Sequence, residues 1–255
     1  MTLANGSAEI IDALGLKSII VGRDIASTDA SLKDIPILTS GHQVVAEKII
    51  ATRPDLVIID SSVGPAQALQ DIADAGITVK SIDEAWSLDD ISIKVAQISA
   101  LLGIEKSGSM LNFKIKNAIS ASRDVLQGSP RIAFLYLRGG SSIYLIGGKG
   151  SGADSLLQAI GAVDVGAQKI AQPFTALTSE SFSEMSPDLI LVMRKGLESV
   201  GGIDGLVSLP GVAQTPAGKN RSVVAVDDSL LLSFGPRTPA LLGQLAEGIN
   251  KEISR

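Results

Sequence analysis

Apolar runs of strand length alternate with helical stretches along the whole chain. Residues 18–22, 55–60, 77–82, 131–138 and 222–227 read as strands. Residues 55–60 are apolar almost throughout, as expected of a strand covered on both faces in a parallel sheet. Between the strands, apolar positions recur at helical spacing. The pattern predicts helices over residues 8–14 (capped by Ser7, closed by Gly15), 44–52, 65–75 and 238–253. Leu88, Ile91, Val95, Ile98 and Leu102 mark a longer helix behind Ser87, and a second long one runs over residues 105–126. Alternating strands and helices give an α/β class with parallel sheets.

The second half echoes the first. Asn5-Gly6-Ser7-Ala8-Glu9 has a counterpart in Gly150-Ser151-Gly152-Ala153-Asp154, and Arg53-Pro54-Asp55-Leu56 in Ser186-Pro187-Asp188-Leu189. Two similar α/β lobes are expected, at residues 1–86 and 105–255, with a stiff helical connection over 87–104 and a ligand cleft between the lobes. Strand-end and helix-start loops would line that cleft. They carry Asn5, Gly6, Arg23, Asp24, Gly41, His42, Ser61 and Ser62 in the first lobe. In the second they carry Tyr136, Arg138, Phe174, Thr178, Arg194, Phe234 and Arg237.

Composition narrows the chemistry. Net charge is −5 and aromatics are 3% of the 255 residues, which argues against nucleic acid as a partner. There is no Cys, so thiol catalysis, disulfides and Cys-ligated metal centres are excluded. The one histidine, His42, excludes sites needing two. No apolar run reaches the roughly 18 residues of a membrane span. No leader opens the chain, and a targeting segment is expected to have been removed ahead of Met1.

Candidate site chemistry centres on Arg131-Ile132-Ala133-Phe134-Leu135-Tyr136-Leu137-Arg138-Gly139-Gly140. Tyr136 and Arg138 share a strand face. A cation beside a phenol favours the phenolate, an oxygen ligand suited to ferric iron. The alternative is a strand tyrosine with a local hydrogen bond and a solvated arginine. Tyr144 is a rival phenol without an arginine two positions on. His42, 94 positions before Tyr136, is a candidate second axial ligand to an iron porphyrin, or else a helix cap or surface residue. Arg23 and Arg237 are candidate partners for propionates, since guanidinium grips carboxylate bidentately.

These features resemble the cobalamin, siderophore and haem type of substrate-binding protein of bacterial ABC importers, and most closely its haem-binding subgroup. The likeness rests on residues 6–16, Val21-Gly22-Arg23-Asp24, Gly41-His42, Arg53-Pro54-Asp55-Leu56-Val57, Phe134 to Gly139, residues 196–202 and Leu209-Pro210-Gly211-Val212-Ala213. The resemblance implies two Rossmann-like lobes joined by one long helix, in an extracytoplasmic lipoprotein of haem uptake that binds haem as cargo and hands it to a membrane permease without chemistry on it; a monomer is expected. Haem iron would be held by His42 and Tyr136, with Arg138 beside the phenolate. Glu198 matches the second-lobe acid that docks on the permease; the first-lobe position falls near Ala66 and carries no carboxylate, with Glu47 or Asp71 as candidate substitutes. A ferric-siderophore or corrinoid carrier of the same fold is the first alternative. A chelatase-like two-lobed enzyme using His42 as base is the second.

Overall fold

The computed structural model describes residues 1–138, 144–176 and 178–254. Gly139 and Gly140 of the candidate stretch lie outside the described residues. The chain forms two compact units: Met1–Asn117 with Leu232–Thr238, and Ala118–Leu231 with Pro239–Arg255. Among the described residues no helix is long and apolar enough to cross a membrane.

The first unit contains helix α1 (Ser7–Ala13), the hairpin β1 (Thr39–Ser40) and β2 (Gln43–Val44), and α2 (Ala46–Ala51). Then come β3 (Leu56–Ile59), α3 (Ala66–Asp74), β4 (Thr78–Ser81), α4 (Asp90–Leu101) and most of α5 (Glu105–Ala121). Strands β3 and β4 pair in parallel, Leu56 opposite Thr78. The N-terminal residues extend this ladder: Leu3 N–H donates to Ile58 O (2.7 Å) and Ile58 N–H to Met1 O (3.1 Å). Residues 18–22 do not form the expected strand. Lys17–Ile19 is a 3-10 turn, and only the following backbone joins the ladder, through Thr2 N–H to Gly22 O (3.1 Å). The reason is local, because Ile19 and Ile20 spend their N–H groups on Leu16 and Lys17 carbonyls. Val57, Ile59, Ile49, Ile72 and Leu3 form the core of this sheet.

A cluster of ionised groups lies inside the unit. Lys94 of α4 is 3% exposed. Its ammonium donates to Asn5 O and to Ser233 O (2.8 Å), so it joins the loop before α1 to the returning segment 232–238. Burial pulls its pKa down to about 8, opposed by Asp24 and Asp60. Gly6, at φ +69°, passes so near that segment that an added Cβ would lie 2.5 Å from Ser233 O. Arg237 of the same segment holds Glu9 of α1 through Nε (2.9 Å) and Nη2. Burial raises the Glu9 pKa and the arginine opposes the rise.

The second unit contains β5 (Arg131–Leu137), β6 (Tyr144–Gly147), α6 (Ala153–Ile160), β7 (Val163–Asp164), α7 (Val165–Lys169), β8 (Phe174–Ala176) and α8 (Ser179–Met185). They are followed by β9 (Leu189–Met193), α9 (Arg194–Ser199), α10 (Gly202–Val207), α11 (Pro216–Asn220), β10 (Val223–Val226), most of α12 (Asp228–Ser233) and α13 (Thr238–Ile253). The sheet order is β10-β9-β5-β6-β8, with β7 also against β5. Strands β10, β9, β5 and β7 are parallel; β6 runs antiparallel to β5, and β8 to β6. The sheet is thus mixed where parallel strands alone were expected. The cause is connection length, since the few residues from β5 to β6 are too short for a parallel crossover. Phe182, Leu135, Ile190 and Val192 are among its buried core residues.

The internal repeat is visible in the backbone. Arg53 and Ser186 both adopt φ +47°, each after a helix and immediately before the Pro-Asp that opens a parallel strand.

Arg237→Ala leaves the buried Glu9 carboxylate without its cation and is expected to lower unfolding stability by about 3 kcal/mol or more; urea denaturation followed by circular dichroism measures it. Asp164 caps α7 by accepting from Ala167 N–H (2.9 Å), while its Oδ2 is buried without a partner. Burial pushes its pKa up from 3.8 to about 6. The folded state therefore binds the proton more tightly than the unfolded one, and stability falls as pH rises from about 4 to 6. Asp164→Asn keeps the cap and removes the charge. It is expected to stabilise by on the order of 2–3 kcal/mol at pH 7.5 and by nothing at pH 4, read from denaturation midpoints at both pH values.

Candidate functional site

In the first unit the candidate side chains gather at the carboxyl ends of β3 and β4, where open parallel sheets place ligands. His42 stands in the two-residue loop between β1 and β2, after Gly41 at φ +62°. The loop is tied to the chain beyond β3: Gly64 N–H donates to His42 O (2.9 Å) and Val44 N–H to Gly64 O (2.9 Å). These bonds seat the imidazole over Ser62, whose Oγ lies 2.9 Å from Nδ1. Ser62 Oγ donates in turn to Asp60 Oδ1 (2.5 Å). Asp60 is buried, closes β3, and also accepts from Asn5 N–H and Ser62 N–H (3.1 Å each). The imidazole is exposed and oriented through Nδ1, so its other nitrogen is the one left to meet a ligand.

The same strand ends carry Ser61, which donates to Glu84, and Trp86, whose indole N–H donates to the other Glu84 oxygen (2.8 Å). Trp86 is 37% exposed, a flat apolar surface held by its polar edge.

The remaining first-unit candidates serve the interior. Arg23 was expected to meet propionates; it is 7% exposed, with Nε donating to Leu32 O and Ile35 O and Nη1 to Ser27 O (2.6 Å). Arg237 does grip a carboxylate bidentately, but the carboxylate is that of Glu9. Asp24 is fully buried and accepts from Gly6 N–H (2.9 Å) and Ser27 Oγ (2.5 Å). Phe234 belongs to the first unit, not the second, and is 2% exposed in its core. These residues lie in the right loops but point inward, which strand-end position does not decide.

In the second unit Phe134, Tyr136 and Arg138 share one face of β5 and its end. Arg138 Nε donates to the Tyr136 hydroxyl oxygen (2.8 Å), with its Cζ 5.2 Å from the ring centroid. Phe174, from β8, packs its ring 5.6 Å from Tyr136 and 6.3 Å from Phe134. The result is a half-buried phenol fixed by aromatic packing, with a guanidinium donating to its oxygen. Since arginine only donates, the oxygen keeps lone-pair capacity for a metal.

Tyr144 is different. It is 5% exposed, donates to Pro210 O (2.7 Å), packs edge-on against Phe182, and burial raises its pKa. It is a core phenol. Glu198 and Arg194 are exposed on α9, and Thr178 caps α8 by accepting from Ser181 N–H (3.1 Å).

Sequence reasoning did not name Asp60 or Trp86, which stand beside the candidate residues, and named Ser62 without a role. A signal for Asp60 exists, since a carboxylate that closes an apolar strand sits where ligands bind.

The chain matches the model of the family described as periplasmic binding protein over residues 1–230. It is 26% identical over 257 residues to the ABC transporter substrate-binding lipoprotein YvrC of Bacillus subtilis (strain 168), spanning 98% of this chain and 79% of that one. The apo structure of the periplasmic heme-binding protein RhuT from Roseiflexus sp. RS-1 matches with a TM-score of 0.91 at 35% identity, over 98% of this chain and 97% of RhuT. The periplasmic heme-binding protein BhuT in complex with two hemes matches with a TM-score of 0.87 at 28% identity, over 99% and 97%. With a family match over most of its length, the chain belongs to the periplasmic binding proteins, extracytoplasmic carriers that bind a ligand without converting it.

Proposed function

We propose that this protein captures ferric haem outside the cytoplasmic membrane and delivers it to the permease of an ABC importer, with His42 and Tyr136 as axial ligands of the iron. The observation that carries the reading is the Tyr136–Arg138 pair: a phenol oxygen accepting from a guanidinium at 2.8 Å. Phenolate is a hard donor suited to ferric iron, and imidazole is a common haem ligand. One phenol and one imidazole supply only two donors, so an iron held by them brings its other ligands with it, as a porphyrin does. The likeness to RhuT and BhuT supports the same cargo.

Arg138 acts beside the phenolate oxygen, while Arg23 and Arg237 are engaged in the first unit's own structure. Phe174 and Trp86 offer flat apolar surface to a macrocycle. Glu198 is the proposed contact to the permease.

Hemin titration of the purified protein tests the reading. His42→Ala and Tyr136→Phe are each expected to shift the Soret band and weaken binding by tenfold or more, and Tyr136→Phe to abolish phenolate-to-iron charge transfer. Hemin spectra identical in wild type and both variants would overturn the ligand assignment. Tight capture of a ferric siderophore or a corrinoid that survives both substitutions would favour those cargoes instead.

A further inference from the structure

We propose that Asp60 and Ser62 are positioning residues that set the tautomer of His42, placing the ring proton on Nδ1 and leaving the Nε2 lone pair as the ligating atom. The inference rests on the reading of His42 as an iron ligand and specifies which of its atoms binds.

A serine hydroxyl has one proton to give and lone pairs to accept with. Ser62 Oγ lies 2.5 Å from Asp60 Oδ1 and 2.9 Å from His42 Nδ1. Asp60 already uses both oxygens as acceptors, Oδ2 from Asn5 N–H and Oδ1 from Ser62 N–H. A carboxylate only accepts, so the hydroxyl proton of Ser62 points to Asp60 Oδ1. The contact to the ring is then possible only if Nδ1 carries the proton and donates to Oγ. A neutral imidazole protonated on Nδ1 has its lone pair on Nε2. In water the neutral ring prefers the other tautomer, so the chain carboxylate–hydroxyl–imidazole reverses an intrinsic preference. Such outer contacts orient metal-binding histidines and raise their basicity. The backbone bonds from Gly64 and Val44 keep the loop in register with Ser62, so ring and relay are held by the same short segment.

The relay has a readout that needs no haem. His42 is the chain's one histidine, so long-range proton–nitrogen NMR spectra of the ligand-free protein contain one pair of ring nitrogens. At alkaline pH the wild type is expected to show a protonated Nδ1 and a bare Nε2. Ser62→Ala is expected to move both shifts toward the Nε2-protonated tautomer, and Ser62→Thr, which keeps the hydroxyl, to restore them. Hemin affinity should follow, falling on the order of tenfold in Ser62→Ala and recovering in Ser62→Thr. A wild-type ring already protonated on Nε2, or a tautomer unmoved in a folded Ser62→Ala, overturns the proposal. Hemin binding indifferent to His42→Ala would instead overturn the functional reading and leave the tautomer result standing, so the two failures are distinguishable.

Discussion

A single carboxylate, Asp60, joins the buried interior of the first unit to its exposed chemistry. It ends β3 at 4% exposure, where an ionised group is costly unless paired and hydrogen-bonded. Two backbone N–H groups and the Ser62 hydroxyl donate to its oxygens, and the buried Lys94 supplies opposite charge. From one side Asp60 holds the loop that leads into α1. From the other it orients Ser62, and through it His42. An exposed imidazole on a two-residue loop would ordinarily sample many orientations. Here it is tied, through one intervening hydroxyl, to the most constrained part of the unit.

The second unit reaches a fixed site by different means. Tyr136 stands on a sheet strand instead of a loop, so its backbone is set by the ladder with β6, where it faces Leu145. Aromatic packing from Phe174 and the Arg138 guanidinium then fix the ring and its oxygen. A carrier needs donors that are held still but does not need a reacting constellation. Both candidate donors are supported in this way, and the family assignment places the protein among carriers.

Much of the fold was legible because the signals are local. The Pro-Asp pair before an apolar run marked a parallel strand in both halves, and the shared φ of Arg53 and Ser186 shows the same backbone solution used twice. The long stretches of helical spacing became α4, α5 and α13. Residues 18–22 misled because Ile19, Ile20 and Val21 look like a strand, whereas a tight turn claims the N–H groups of Ile19 and Ile20 first. The antiparallel β6 followed from a short connection, a feature that periodicity does not report.

What the sequence by itself determined is the inventory and its order along the chain: α/β elements, one histidine, a Tyr-x-Arg on a strand, and no thiol. Those depend on residue type and spacing, which act over a few neighbours. Tertiary structure alone decided which way each polar side chain faces. Arg23, Asp24 and Arg237 occupy the same class of loop as His42, yet they turn inward to partners such as Ser27 and Glu9, because a buried ion must be matched by whatever the fold brings alongside. Tyr144 and Tyr136 are likewise the same residue on adjacent strands. One is sealed against Phe182 and the Pro210 carbonyl and the other stays half-exposed beside a guanidinium, a difference made by packing between elements far apart in the chain.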